Sequence, residues 1–259
     1  MIFETHAHYD DKAFMGDRQE LLAKLPEANV GRVVNIGSSI EACRKTVELM
    51  NEYSYIYGAI GVHPTEIGGL NEENFAWLKE QCSHKKCVAV GEIGLDYHWD
   101  TEEPAIQKEW FLRQLQLARE VKLPVVLHSR EAAKDTLDII KAERVDLIGG
   151  VMHCYSYSVE YAKILLNMGF YFGIGGVLTY KNAAKLKEVV KYLPMKSIVL
   201  ETDCPYLSPV PKRGKRNSSL NLSYVVDTIA EIKNITTEEV EQITWENAMD
   251  LYRMEKERD

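Results

Sequence analysis

Eight short apolar runs, each followed by a stretch of helical periodicity, recur along this chain, and that alternation limits its fold more than any single motif. The runs span residues 2–4, 33–37, 56–60, 88–91, 125–128, 150–153, 171–173 and 198–201. Most are apolar on both faces, as strands of a parallel sheet covered by helices must be. Between them lie helical patterns such as 40–50, 107–120 and 132–141. Eight strand-helix units predict an α/β fold, a single (β/α)8 TIM barrel with C-terminal helices, rather than a doubly wound sheet. The length, 259 residues, suits one such domain over 1–259, since these barrels typically take roughly 250 residues. A polar, basic segment, 212–219, follows the eighth run, where active-site loops belong. Terminal helices are expected over 222–233, 238–244 and 245–254, with Thr236 and Glu239 at capping-box spacing.

The chain enters its first strand with no basic-then-apolar leader, and no apolar run reaches membrane-spanning length. A cytoplasmic monomer with no membrane contact is expected. The five cysteines (Cys43, Cys82, Cys87, Cys154, Cys204) form no C-x-x-C pair, and their odd number suits reduced thiols. Only Cys154 and Cys204 lie beside candidate ligands; packing is the expectation for both, because thiolates favour closed structural zinc sites.

Six metal-capable side chains sit where the runs end: His6, His8, Glu92, His128, His153 and Asp203. In a closed barrel the loops after the strands share one face, which would bring the six together and predicts a dinuclear metal hydrolase. His6 and His8 are two residues apart, so on an extended strand both rings project to one side. Glu92 emerges from the buried run 88–91 and must be paired, protonated or metal-bound; its two oxygens can bridge two ions. A lone histidine at a strand end is more often a satisfied hydrogen-bonding group than a ligand, but four in register are not. Asp203 is the candidate ligand and general base, ahead of Glu201, which would point inward or orient a ligand. Four imidazoles with two carboxylates favour Zn, Mn, Ni or Co, with Mg occupying the site only if cellular availability decides.

The stretches Thr5-His6-Ala7-His8, Gly61-Val62-His63-Pro64, Gly91-Glu92-Ile93-Gly94-Leu95-Asp96-Tyr97, His128-Ser129-Arg130, His153-Cys154 and Glu201-Thr202-Asp203-Cys204-Pro205-Tyr206-Leu207 occur in that order. Together they resemble the TatD family of metal-dependent deoxyribonucleases, over residue 5 to about 217. The motifs are short, but their joint order is specific. The resemblance implies a barrel of the amidohydrolase type, two divalent metal ions per chain and hydrolysis of phosphodiester bonds in DNA. Carried over residue by residue, it implies one ion held by His6, His8, Glu92 and Asp203, and a second by Glu92, His128 and His153. His63 would reach substrate phosphate or a further metal, or act only as a hydrogen-bonding support. Two positions depart from the family pattern. Thr65 stands where a second histidine is common, and Ser218-Ser219 stands where Glu-Pro tends to follow the late Arg-Asn, here Arg216-Asn217, which bears on selection of substrate ends.

A formal net charge of -8 argues against a protein that coats DNA, but a nuclease needs only local positive charge. Arg130 is the candidate bidentate phosphate clamp, and Lys212, Arg213, Lys215, Arg216 and Asn217 supply a candidate substrate-binding loop. Asp96 and Tyr97 would support Glu92 or the substrate; Tyr97 and Trp99 fit packing roles equally well. A narrow barrel mouth suits single-stranded ends better than duplex, so exonucleolytic digestion of single-stranded DNA is expected. Two other readings stand beside it. One is an ester or amide hydrolase on the same scaffold, such as an aminoacyl-tRNA deacylase. The other, a non-catalytic metal-binding protein, is disfavoured by an intact Asp203.

Overall fold

The computed structural model describes residues 1–99 and 101–254. In chain order its elements are β1 (Ile2–Ala7), α1 (Arg18–Lys24), β2 (Val30–Ile36), α2 (Ile40–Glu52), β3 (Ile56–Ile60), α3 (Glu72–Gln81), β4 (Cys87–Asp96), α4 (Pro104–Val121) and β5 (Val125–Arg130). They continue with α5 (Ala133–Ala142), β6 (Gly150–Met152), α6 (Val159–Asn167), β7 (Tyr171–Ile174), α7 (Ala184–Tyr192), β8 (Ile198–Leu200), α8 (Leu222–Lys233) and α9 (Thr237–Leu251). The strands take the sheet order β1-β2-β3-β4-β5-β6-β7-β8. This is the (β/α)8 TIM-barrel class that the periodicity predicts. Among the described residues, no helix is long and apolar enough to cross a membrane.

Two expectations need correction. Residues 238–244 and 245–254 are not two helices: α9 runs unbroken from Thr237 to Leu251. Nothing between Thr244 and Trp245 can stop it, neither proline nor glycine, and the Thr244 hydroxyl donates back to Val240 O at 2.8 Å within the helix. Its start is the expected capping box, in which Thr236 and Glu239 each accept the other's backbone N–H. The fourth strand does not end at Gly91 but continues to Asp96, so Glu92 lies inside it.

The described residues group into two compact units. The first comprises Met1–Val34, Cys154–Asn167 and the described residues from Tyr171 onward. Here β7 pairs in parallel with β8, Phe172 opposite Ile198 and Ile174 opposite Leu200. Helix α9 packs against β1 and β8. Phe3 meets Trp245 at 5.5 Å between ring centroids, Tyr252 donates its hydroxyl to Thr5 O at 2.8 Å, and the Asn247 amide donates to Met195 O and Ile198 O, both at 2.7 Å. These contacts hold the strand that delivers His6 and His8.

The second unit comprises Asn35–His153 and Met168–Phe170. Strands β3, β4, β5 and β6 pair in parallel in succession. Helix α4 lies along β4 and carries two buried glutamines, Gln107 and Gln114, seven residues and hence about two turns apart on one face. Gln107 accepts from Asp96 N–H and donates to Asp96 O, both at 2.9 Å. Gln114 does the same for Val62, at 2.8 and 3.0 Å. One helix face therefore pins both the end of β4 and the loop that presents His63.

Candidate metal centre

In the first unit the ligand geometry follows from backbone lacing. Ala7 bridges Cys204, His8 N–H donates to Cys204 O at 2.9 Å, and Asp203 N–H donates to His6 O at 2.9 Å. Asp203 adopts a left-handed backbone, φ 56°, which turns its carboxylate back toward β1. His6 Nε2 and His8 Nε2 face each other at 3.2 Å, and Asp203 Oδ1 lies 3.6 Å from the first and 3.3 Å from the second. Two imidazole nitrogens that close share at most one proton between them, whereas a cation satisfies both lone pairs and the carboxylate together. The donor set fits a divalent metal.

Beneath this cluster Glu4 is fully buried and accepts N–H bonds from His6 and Thr202 at 3.1 and 3.0 Å, and the Ser219 hydroxyl at 2.9 Å. Burial pushes its carboxyl up to about 8 despite those bonds. Ser219 also meets the Tyr9 hydroxyl at 2.7 Å, so the departure at Ser218-Ser219 serves an internal network under the strand. Asn217 is buried as well; its amide donates to Thr202 O and accepts from Ser218 N–H and Asn221, which shapes the loop from within. Arg216 is half-exposed and forms a bidentate ion pair with Asp17, at 2.7 and 2.5 Å, while also donating to Ala13 O at 2.8 Å. Glu201 is buried and its Oε1 accepts Cys154 N–H at 2.7 Å. Cys204 is fully buried, and burial followed by the Glu4 charge raises its thiol far above the usual range, which is the behaviour of a packing group.

In the second unit, three predicted histidines come together around Glu92 Oε1: His128 Nδ1 at 2.9 Å, His153 Nε2 at 3.5 Å and His63 Nε2 at 3.8 Å. A feature that sequence reading missed explains the placement. The β4–β5 pairing slips between Val90 and Ile93, so Glu92 sits at a bulge, where side chains are re-aimed. Beyond it, Gly94 registers with His128, and a Cβ on Gly94, whose φ is +148°, would collide with the His128 carbonyl. Asp96, on the same strand, then reaches the other side of the ring: Asp96 Oδ2 lies 2.9 Å from His128 Nε2. The imidazole is bracketed by two carboxylates.

That bracket sets the charges. Burial opposes protonation of His128, but hydrogen bonds from its ring to Asp96 and Glu92 outweigh it and raise the pKa above the ordinary histidine value. Burial would raise Asp96, yet the hydrogen bond from His128 and the backbone N–H groups of Trp99 and His98 hold it down to about 2. With Nε2 donating to an ionised Asp96, the proton that His128 gives up to bind a metal is the one on Nδ1, beside Glu92, the arrangement by which carboxylates orient metal-binding histidines. Asp96 is therefore an orienting partner that the spacing alone did not identify.

His63 differs. Its Nδ1 accepts Thr65 N–H at 3.2 Å and faces the Thr65 hydroxyl at 2.7 Å, so Thr65 orients this ring. Burial, then the neighbouring His128, push the pKa down to about 3, leaving a neutral ring with its proton on Nε2. Geometrically His63, Glu92 and His128 also offer three donor atoms within 4.8 Å of one another. Arg130, exposed at the end of β5, has no carboxylate partner among the described residues.

The model of the TatD related DNase family matches residues 3–253. The chain is 44% identical over 254 residues to the uncharacterized metal-dependent hydrolase YabD of Bacillus subtilis, covering 98% of this chain and all of that one. It is 32% identical over 263 residues to the uncharacterized metal-dependent hydrolase YcfH of Escherichia coli K12, covering 99% and 97%. The crystal structure of YjjV, a TatD homolog from Escherichia coli K12, superposes with a TM-score of 0.92 at 29% identity, covering 98% of each chain.

Proposed function

Since the chain belongs to the family of TatD related DNases and is a metal-dependent hydrolase, we propose that it hydrolyses phosphodiester bonds in DNA, removing nucleotides from single-stranded ends. The observation that carries this reading is Arg130, a guanidinium two residues beyond His128 that no described carboxylate neutralises and that suits a phosphate. We further propose that His6, His8, Glu92 and Asp203 hold one ion and Glu92, His128 and His153 a second, as the family pattern implies. Bound divalent ions of the kind these nitrogen-rich sets favour would lower the pKa of water and polarise a phosphoryl group.

The side chains have separable tasks in this scheme. Asp203 accepts the proton of the attacking water, and its left-handed backbone holds the carboxylate at His6 and His8. Neutral His63 donates Nε2–H to a phosphoryl oxygen without adding a charge that would compete with the cations. Arg130 clamps a non-bridging oxygen pair. Asp96 keeps the His128 ring in one tautomer.

The test compares metal-loaded protein on a single-stranded oligonucleotide and on an aminoacyl ester, at several salt concentrations. Asp203→Asn should lower kcat by roughly 100-fold or more. Arg130→Ala should raise KM for DNA, with an effect that shrinks as salt screens phosphate. Arg216→Ala should do little to KM, because Asp17 already neutralises that cation. Turnover of the ester with no cleavage of DNA would replace the nuclease by the ester hydrolase.

A further inference from the structure

The turn after β4 carries a large exposed aromatic ring that none of the proposed chemistry uses. Trp99 is 54% exposed. One side of the ring is backed by Arg130, whose guanidinium carbon lies 5.5 Å from the ring centroid, and His98 meets it edge-on at 4.8 Å. Glu131, the nearby carboxylate, is taken by His98 Nδ1 at 2.7 Å and not by Arg130.

The ring is tied to the second metal cluster by one carboxylate. Asp96 Oδ2 holds His128, while Asp96 Oδ1 accepts the N–H groups of His98 and Trp99 at 2.9 and 3.1 Å. Tyr97 N–H donates to Arg130 O at 2.9 Å, which fixes the turn against the end of β5. An exposed indole is costly to keep in water, and here it is held by backbone bonds beside a cation that has no anionic partner among the described residues. That pairing matches the chemistry of a nucleotide: a flat apolar base for the indole and a phosphate for the guanidinium.

We propose that Trp99 is a nucleobase-stacking platform, and that Trp99 with Arg130 forms one subsite that binds a nucleotide unit of single-stranded nucleic acid, base on indole and phosphate on guanidinium. The subsite rests on the nuclease reading but makes a separate demand, namely that affinity depends on the base.

The experiment measures binding by fluorescence anisotropy, in chelator so that nothing is cleaved, using a labelled single-stranded oligonucleotide and a strand of equal length built from abasic units. Trp99→Ala should weaken binding of the base-bearing strand by roughly tenfold and leave the abasic strand unaffected, and Trp99→Phe should restore most of the loss. Arg130→Ala should weaken both strands, more at low salt. Equal binding of the base-bearing strand by wild type and Trp99→Ala, or an equal loss on both strands, overturns the stacking subsite; cleavage of DNA by the metal-loaded wild type would leave the nuclease reading standing. Wild type that binds neither strand also overturns the subsite, whereas no cleavage of either strand by the metal-loaded wild type overturns the nuclease reading.

Discussion

Replacing Asp96 by asparagine should weaken one metal position and spare the other. In the native arrangement Oδ2 accepts from His128 Nε2 at 2.9 Å and Oδ1 accepts two backbone N–H groups. Asparagine has a single acceptor oxygen. If that oxygen stays with His98 and Trp99, the amide NH2 faces His128 Nε2 and drives the proton to Nδ1, the nitrogen that should face the metal. If it turns to His128, the turn loses its two N–H acceptors. A charge-assisted hydrogen bond of this kind contributes about 1.5–3 kcal/mol. Expressed as affinity, that agrees with the roughly 10- to 100-fold loss typical when the orienting partner of a metal-binding histidine is removed. The assay is calorimetric titration of metal-stripped wild type and Asp96→Asn with zinc or manganese, with melting temperature recorded for both. The expected result is a 10- to 100-fold weaker site at His128, with the site at His6, His8 and Asp203 little changed. Two sites of wild-type affinity in the variant, or selective loss of the site at His6 and His8, would refute the orienting role.

Three further outcomes follow, the first from the proposed Glu92 bridge and the others from the geometry around His128. Glu92→Gln should reduce tight metal content from two ions to none, measured by elemental analysis after desalting, because one bridging carboxylate serves both proposed positions; retention of two tight ions would remove the bridge. Metal affinity at the His128 cluster should fall with acid: its pKa is raised by Asp96 and Glu92, so below that raised value a proton occupies the ring, and each pH unit lower should cost about tenfold for one displaced proton. His63, pushed down to about 3, adds no competition in that range. The metal-free protein should respond in the opposite sense, since the stabilising contact of protonated His128 is complete below the ordinary histidine pKa and is lost as pH rises through the raised one. A zinc affinity that does not change between pH 6 and pH 8 would contradict both the raised pKa and the ligand assignment.

Much of the fold is legible in the order of residues because burial leaves a local signature. Strands covered on both faces must be apolar throughout, which is why 56–60 is recognisable to its ends, and helix α8 has the same limits in pattern and in structure. The His6-Ala7-His8 spacing places two rings on one side of β1, as an extended strand requires. What a one-dimensional pattern does not contain is partnership. The continuation of β4 through Glu92 and Asp96 is hidden because buried carboxylates inside a strand look like its end until His128, 36 and 32 residues away, is seen between them. Arg216 looks like a phosphate clamp until Asp17, 199 residues earlier, is found paired with it, and Asn217 looks like a substrate contact until its amide is found closing the loop on Thr202. Composition and periodicity report how deeply each residue is buried, which is a property of one residue at a time. Which charge meets which, and hence which imidazole is held as a ligand and which guanidinium is left for a phosphate, is decided only when distant segments pack, because a hydrogen bond or ion pair is short-ranged and belongs to two residues at once.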